Sequence, residues 1–434
     1  MNQIVRKYLP AMALGLLMST QTALSEDLVA AWREALAGDQ TIQATQSRVA
    51  SANADLEAAK AARLPNISAS AGITQFDDAP AFDFSGAGVP AILPLFDGES
   101  MQMADARITL PLYTGGRVMH GIDAAEAMLE AQQFQSGAST QQIKLAVAEQ
   151  YINVLRAKSA LAVADSNVKS LSAHVRDVDD MFKSGAVARN DYLAAAVSLA
   201  DSEQRRLQAR NRLDLANAAY NRALGRNLGT PVSLDEYLPG IDPGLDPSSL
   251  DALTDVALRS RAELGSLDSA AKALRYQADS KRAETRPHLA VTGGYMALQN
   301  EFLNRDEFWM VGVGVQWNVF DGGQARKKAS ALLFKSNAVR QERNNLRSLI
   351  ELQVRQSWLR LNETNERKRL TARAVEQAEE NLRVVRDRYR NGEGTNTEVL
   401  DAEMLRSLSR SNHDNADFDA KLALYELARG VGRL

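Results

Sequence analysis

The chain has 434 residues and a formal charge of −3 at neutral pH, from 51 basic and 54 acidic side chains. It has no cysteine and only four histidines, His120, His174, His288 and His413, scattered along its length. That composition excludes disulfides, thiolate metal sites, a cysteine nucleophile and a lipid anchor on an N-terminal cysteine; it leaves little scope for histidine chemistry and lacks the concentrated basic patch that nucleic acid requires.

At the start, Arg6 and Lys7 precede an apolar stretch from Tyr8 to Met18, and Ala23-Leu24-Ser25 leads into Glu26-Asp27. A basic start, a short apolar core and small residues at a cleavage-like site read as a secretory signal peptide over residues 1–25. No later segment offers about 18 consecutive apolar residues. A membrane-embedded form of this chain is therefore expected to be a β-barrel.

Strands are expected near residues 66–76, 105–113, 288–297 and 309–320, where apolar and small or polar residues alternate. Between the first two, Phe76 to Ala104 holds Pro80, Pro90 and Pro94 and reads as a long external loop. Trp309, Trp317, Tyr113 and Phe320 sit where interfacial aromatics would. From the residues alone, a barrel in lipid and a small soluble hairpin packed on helices both fit. Four strands cannot close a barrel, since about eight is the practical minimum, so a barrel would have to be shared among protomers.

Proline breaks helix interiors, and none lies between Pro111 and Pro231 or after Pro287. Both gaps are rich in strong helix formers. In the first, Val168, Leu171, Val175, Val178 and Phe182 step by 3 and 4 alternately; in the second, Val375, Ala378, Leu382, Val385 and Tyr389 step identically. Each set is a coiled-coil seam. A helix from Arg117 to Phe182 would run about 100 Å at 1.5 Å per residue.

The two seams are offset by 207 residues, and the same shift carries Gly115-Gly116 onto Gly322-Gly323 and Gly185 onto Gly392. Upstream the offset becomes 222, carrying Pro65 onto Pro287. The chain therefore reads as two copies of one unit, residues 26–232 and 248–434, joined by a Pro- and Gly-rich linker at 233–247.

These features resemble the TolC family of trimeric outer-membrane exit ducts. The markers are Leu110-Pro111-Leu112-Tyr113-Thr114-Gly115-Gly116, Val319-Phe320-Asp321-Gly322-Gly323, and two helix–turn–helix tips at residues 182–188 and 389–395. The resemblance implies a mainly α mixed fold: four strands per protomer complete a shared twelve-stranded barrel above a long periplasmic α-helical coiled-coil tunnel. It implies a homotrimer in contact with outer-membrane lipid, a periplasmic adaptor and an inner-membrane pump of RND or ABC type, in drug efflux or type I secretion. No cofactor is implied. The other reading is a soluble periplasmic coiled-coil adaptor or scaffold.

Glu398 and Asp401 share one helix face at i and i+3, and on the residues alone they would be an ordinary solvated face. The resemblance makes them the pore constriction, six carboxylates in a trimer, which would attract cations. It gives Tyr389 and Asp191 the part of holding the coils closed. It makes the tips, with Gly185, Ala186, Gly392 and Gly394, the docking surface for the adaptor. Where the family has a gate arginine, this chain has Gly394, and Arg390 or Arg189 is the candidate replacement. No P-loop, HExxH or GxSxG motif is present, so an enzyme is not expected. Asp177, Asp179 and Asp180 read as a solvated helix face.

Overall fold

The structure, a computed structural model, describes residues 25–78, 81–83, 86, 92–94, 99–240, 249–298 and 305–434. The expected signal peptide lies outside the described residues except for Ser25, as does the linker from residue 241 onward.

The first set of elements is α1 (Leu28–Gly38), α2 (Gln40–Ala61), β1 (Asn66–Gln75), a short pair β2 (Ala81–Asp83) and β3 (Ile92–Pro94), β4 (Ser100–Tyr113), α3 (Arg117–Lys183) and α4 (Arg189–Ala223). The second is α5 (Leu250–Ser260), α6 (Ala262–Ala283), β5 (His288–Leu298), β6 (Glu307–Gln316), α7 (Gln324–Arg390) and α8 (Asn396–Gly430). Both bounds of α3 and α4 move by 207 residues onto α7 and α8, and both bounds of α1 and α2 move by 222 onto α5 and α6. α3 and α7 have 67 residues each, about 100 Å of helix. Among the described residues no helix is long and apolar enough to cross a membrane.

Glycine pairs launch the long helices. Gly115 and Gly116 have φ of 62° and 92°, and Gly322 and Gly323 of 70° and 82°, a left-handed region that a side chain enters at a cost. At Gly115 space is also needed: a Cβ there would lie 2.6 Å from the Cβ of Arg286, whose guanidinium donates to the Gly115 carbonyl at 2.8 Å. Asp321 caps α7 by accepting from the Gly323 and Ala325 amides at 2.8 and 2.7 Å.

The main sheet has four antiparallel strands in the order β1-β4-β5-β6. Register sorts its side chains by chemistry, because successive residues face opposite sides. Ile67 opposes Ile108, Ile108 opposes Gly293, and Gly293 opposes Val311. That face continues with Ala69, Ala71 and Ile73 on β1, Leu110, Ala106 and Ala104 on β4, Val291 and Tyr295 on β5, and Trp309, Val313 and Val315 on β6. The other face carries Ser68, Ser70, Arg107, Asp105, Thr292, Gly294, Gly312 and Gly314, and toward the loops Met101, Met103, Met296, Phe308 and Met310. The apolar face lies open, with Val311 85% and Trp309 81% exposed. Aromatics mark both ends of it. The tilted rings of Tyr295 and Trp309 lie 5.1 Å apart toward the loops, and Tyr113, Trp317 and Phe320 are exposed toward the helices.

Two strand ends differ from the sequence expectation. β6 stops at Gln316 instead of running to Phe320, because its partner strand begins at His288, opposite Gln316. Beyond that point the Trp317 indole donates to the Thr285 carbonyl at 3.0 Å. β4 begins at Ser100, not near residue 105, since β1 keeps pairing out to Gln75 opposite Ser100. The stretch expected to be loop also holds the β2–β3 pair.

Among the described residues the helices bury three apolar clusters. One gathers Leu28, Val147, Tyr151, Tyr220 and Tyr425 where both halves meet, and the Tyr151 hydroxyl lies 2.7 Å from the carbonyls of Glu26 and Asp235. A second joins Leu253, Ile350, Val354 and Leu427. The third lies at the far end of the long helices, around Val178, Ala195, Tyr389 and Val399. Of the seam residues, Val168, Leu171, Val178, Val375, Ala378, Leu382 and Tyr389 are buried and Val175 and Val385 half-buried, but Phe182 is exposed, because α3 ends one residue later and its ring lies out at the turn beside Tyr192.

Candidate functional site

Each long helix turns back through a glycine. After α3, Gly185 (φ 76°) donates to the Phe182 carbonyl at 2.9 Å and Ala186 donates to the Met181 carbonyl at 2.8 Å. After α7, Gly392 (φ 76°) donates to Tyr389 at 3.0 Å and Glu393 to Arg388 at 2.9 Å. These are matched Schellman ends. Gly185, Ala186 and Gly392 are exposed, and nothing lies within 4 Å of a Cβ placed on either glycine.

Glu398 and Asp401 are both exposed, in the first two turns of α8. Glu398 has a second task. Thr395 accepts from the Glu398 amide at 3.3 Å while the Glu398 carboxylate accepts from the Thr395 amide at 3.2 Å. This capping box satisfies two amides that the helix start would leave orphaned. Asp401 takes no part in it.

Tyr389 is 5% exposed and packs with residues of all four long helices. Its ring lies 5.5 Å from the ring of His174, and its hydroxyl is buried without a hydrogen-bond partner in the protomer. Burial pushes that phenol above its ordinary value, and the charges of Asp191 and Asp177 push it the same way. Asp191 enters through its backbone: its carbonyl accepts from the Asn396 side-chain amide at 2.9 Å. Arg390 reaches Asp177 on α3 at 2.8 Å, so Asp177 is paired across hairpins and is not merely solvated. Both members are well exposed, a setting in which such a pair contributes about 0–1 kcal/mol.

The sequence reading missed a buried polar layer just behind the tips. Glu403 is 1% exposed. It accepts from Ser170 on α3 at 2.7 Å, from Arg406 at 3.2 Å and, more closely, from Arg386 on α7. One turn of α3 further on, His174 is 4% exposed and its Nε2 lies 2.8 Å from the Asn396 Oδ1. Spacing alone hints at this layer, without giving its burial or its partners. Asn396 and Glu403 are seven residues apart, as are Ser170 and Asp177, so each pair occupies one helix face. Above this layer α3 stands off from α7 and α8 around a cleft of about 330 Å³ lined by Ser159, Ser166, Glu379, Arg406, Arg410 and Asp414. Among the described residues no group of three acidic or histidine side chains is placed to hold a metal.

The model of the outer membrane efflux protein family matches residues 31–226 and 253–433. The alkaline protease secretion protein AprF of Pseudomonas aeruginosa is 25% identical over 69% of this chain, and the match spans 64% of AprF, less than two thirds of its length. The outer membrane efflux protein BepC of Brucella suis is 21% identical over 97% of this chain and 88% of its own. Among solved structures, the outer membrane protein VceC of Vibrio cholerae superposes with a TM-score of 0.77 at 16% identity, covering 94% of this chain and 96% of VceC.

Proposed function

The chain belongs to the outer membrane efflux protein family, and on that premise we propose that three copies form a gated exit duct across the outer membrane. The observation that carries this reading is the sheet. It has an open apolar face, an opposite face that is small and polar on the helix side of the strands, and, among the described residues, two unpaired edges, β1 and β6. Joining β6 of one copy to β1 of the next closes a barrel of twelve strands, removes every edge and turns the apolar face to lipid. Each Val or Ile so covered gains about 1.5–3 kcal/mol. Strands of 10 and 11 residues match the 9–11 that a tilted strand needs to span a bilayer. A soluble adaptor or scaffold would leave that face in water.

The long helices then run about 100 Å into the periplasm and narrow at the tips. Glu398 and Asp401 supply six carboxylates to the constriction, which favours cations. Tyr389 and Asp191 keep the coils together, and Arg390, through Asp177, takes the part of the arginine absent at Gly394. A periplasmic adaptor docks on Gly185, Ala186, Gly392 and Gly394, and an inner-membrane pump of RND or ABC type supplies the energy. The duct is passive and does no catalysis. AprF is named for protease secretion and BepC for efflux, and a wide aqueous lumen accommodates either cargo.

The test is twofold. Protein extracted in detergent should have the mass of three chains, and in a planar bilayer under a salt gradient it should give discrete, cation-preferring current steps. A monomeric particle without channel activity would overturn the reading.

A further inference from the structure

The hairpin α7/α8 meets the hairpin α3/α4 chiefly where α8 lies along α3. At the tip one apolar cluster joins the hairpins, Val178 and Ala195 of the first with Tyr389 and Val399 of the second. Between hairpins a polar stripe runs along α3. Arg156 pairs with Asp419 at 2.7 Å and Ser159 donates to Asp414 at 2.5 Å. Ser170 reaches Glu403, His174 reaches Asn396, and Asp177 reaches Arg390. Polar partners lose little when they separate into water, whereas parted apolar faces lose their burial. Parting the hairpins therefore breaks this polar stripe together with the apolar meeting of Val178 and Ala195 with Tyr389 and Val399.

The protons in this stripe can be placed. Asn396 must present its NH2 group to the Asp191 carbonyl, which only accepts. Its oxygen therefore faces His174, and His174 must donate from Nε2. A neutral ring satisfies that bond. One side chain on α8 thus holds α3 through a histidine and α4 through a backbone carbonyl.

We propose that His174 and Glu403 are positioning residues of the gate, a latch that seats the second hairpin on the first, and that protonation of His174 releases it. This rests on the duct reading above. The groups facing His174 are Asp177 on its own helix, Arg386 and Tyr389 on α7, and Glu403 on α8, with Asp191 of α4 reached through Asn396. Both nearby carboxylates already pair with arginines, Glu403 with Arg386 and Arg406 and Asp177 with Arg390, and their pull toward a cation, with that of the Asn396 bond, is outweighed at His174. Burial is the largest effect holding the imidazole below its ordinary value, and Arg386 adds to it. The sign follows. The latched state carries its full stability above the ordinary histidine value of about 6.5 and loses it as pH falls through the lowered value, while the parted state takes up the proton.

The experiment is single-channel recording of the whole trimer between about pH 8 and about pH 5, the range in which histidine titrates. Detergent particle mass is followed at each pH. Wild type should show an open probability that rises several-fold toward pH 5. His174→Gln keeps a donor toward Asn396 but cannot titrate, and its profile should be flat. Glu403→Gln should raise the open probability at every pH. Where that variant fails to assemble, Ser170→Ala removes only the hydroxyl between hairpins and should act in the same direction. Channels whose pH profile is unchanged by His174→Gln, or whose opening is untouched by Glu403→Gln and Ser170→Ala, would overturn the latch and leave the duct standing. Intact trimers that never conduct, in wild type or variant at any pH, would overturn the duct and the latch together.

Discussion

Gly394 lies against the backbone of Tyr389: a Cβ at Gly394 would come within 3.2 Å of the Tyr389 nitrogen and 3.2 Å of the Glu398 carboxylate. The turn is built so closely that its glycine serves both the end of α7 and the start of α8. Gly394→Ala should push the Glu398 side chain off Thr395 and weaken the capping box. A lost cap contributes about 0.5–2 kcal/mol of helix stability. The expected outcome is a trimer that melts slightly lower and leaks more small ions. A melting temperature and a resting conductance equal to wild type would show that the neighbours yield without cost.

Charge and cap can be separated at Glu398. Glutamine preserves a capping box, and alanine does not. Glu398→Gln should therefore lower cation preference with little change in stability, while Glu398→Ala should lower both. Asp401 has no share in the cap, so Asp401→Ala should act on selectivity alone. Reversal potentials in a salt gradient, compared with thermal melts, sort these outcomes. Selectivity unmoved by all three variants would remove both carboxylates from the constriction.

At Gly392 the obstacle to substitution is backbone conformation, since the φ is 76° and nothing stands within 4 Å of an added Cβ. A left-handed turn costs a side chain roughly 1–2 kcal/mol, little for an assembly of this size. Gly392→Val should leave the trimer intact and abolish export, because the exposed tip is where the adaptor is proposed to seat. Gly392→Asn tolerates the turn better and should retain more export. Dye accumulation in cells carrying each variant, with trimer content measured alongside, checks this. Normal export by the valine variant would move the docking surface elsewhere.

Much of the architecture was legible because it is written in local rules. Gly115-Gly116, Gly322-Gly323 and the proline gaps punctuate the chain through backbone geometry, which needs no tertiary partner. The seam from Val168 to Phe182 is likewise a matter of spacing on one helix. Glu403 was not legible, because its partner Ser170 lies 233 residues away and their meeting depends on how two hairpins cross. The first unit has Ala196 at the position that matches Glu403, so the repeat itself did not announce a charge there. The end of β6 was misjudged for a related reason. Residues 317–320 keep a strand-like pattern, but β5 offers them no partner beyond His288.

The face assignment of the sheet gives the most direct check on the membrane reading. Val313 opposes Val291 on the apolar face, in the middle of β6, while its neighbour Gly314 points to the polar side opposite Ala290. If the apolar face meets lipid, Val313→Lys places a charge near the bilayer midplane, at about 2–4 kcal/mol per copy. Three copies in one barrel multiply that cost, so the fraction of protein recovered as trimer from outer membranes should fall steeply. Gly314→Ser faces the aqueous lumen, meets nothing within 4 Å of its Cβ, and should assemble as wild type does. The two substitutions are adjacent in sequence, and only side distinguishes them. Equal recovery of both variants as trimers would mean that β6 does not face lipid and that the barrel is wrongly placed. Loss confined to Val313→Lys would tie the alternation seen in the strand to the bilayer that surrounds it.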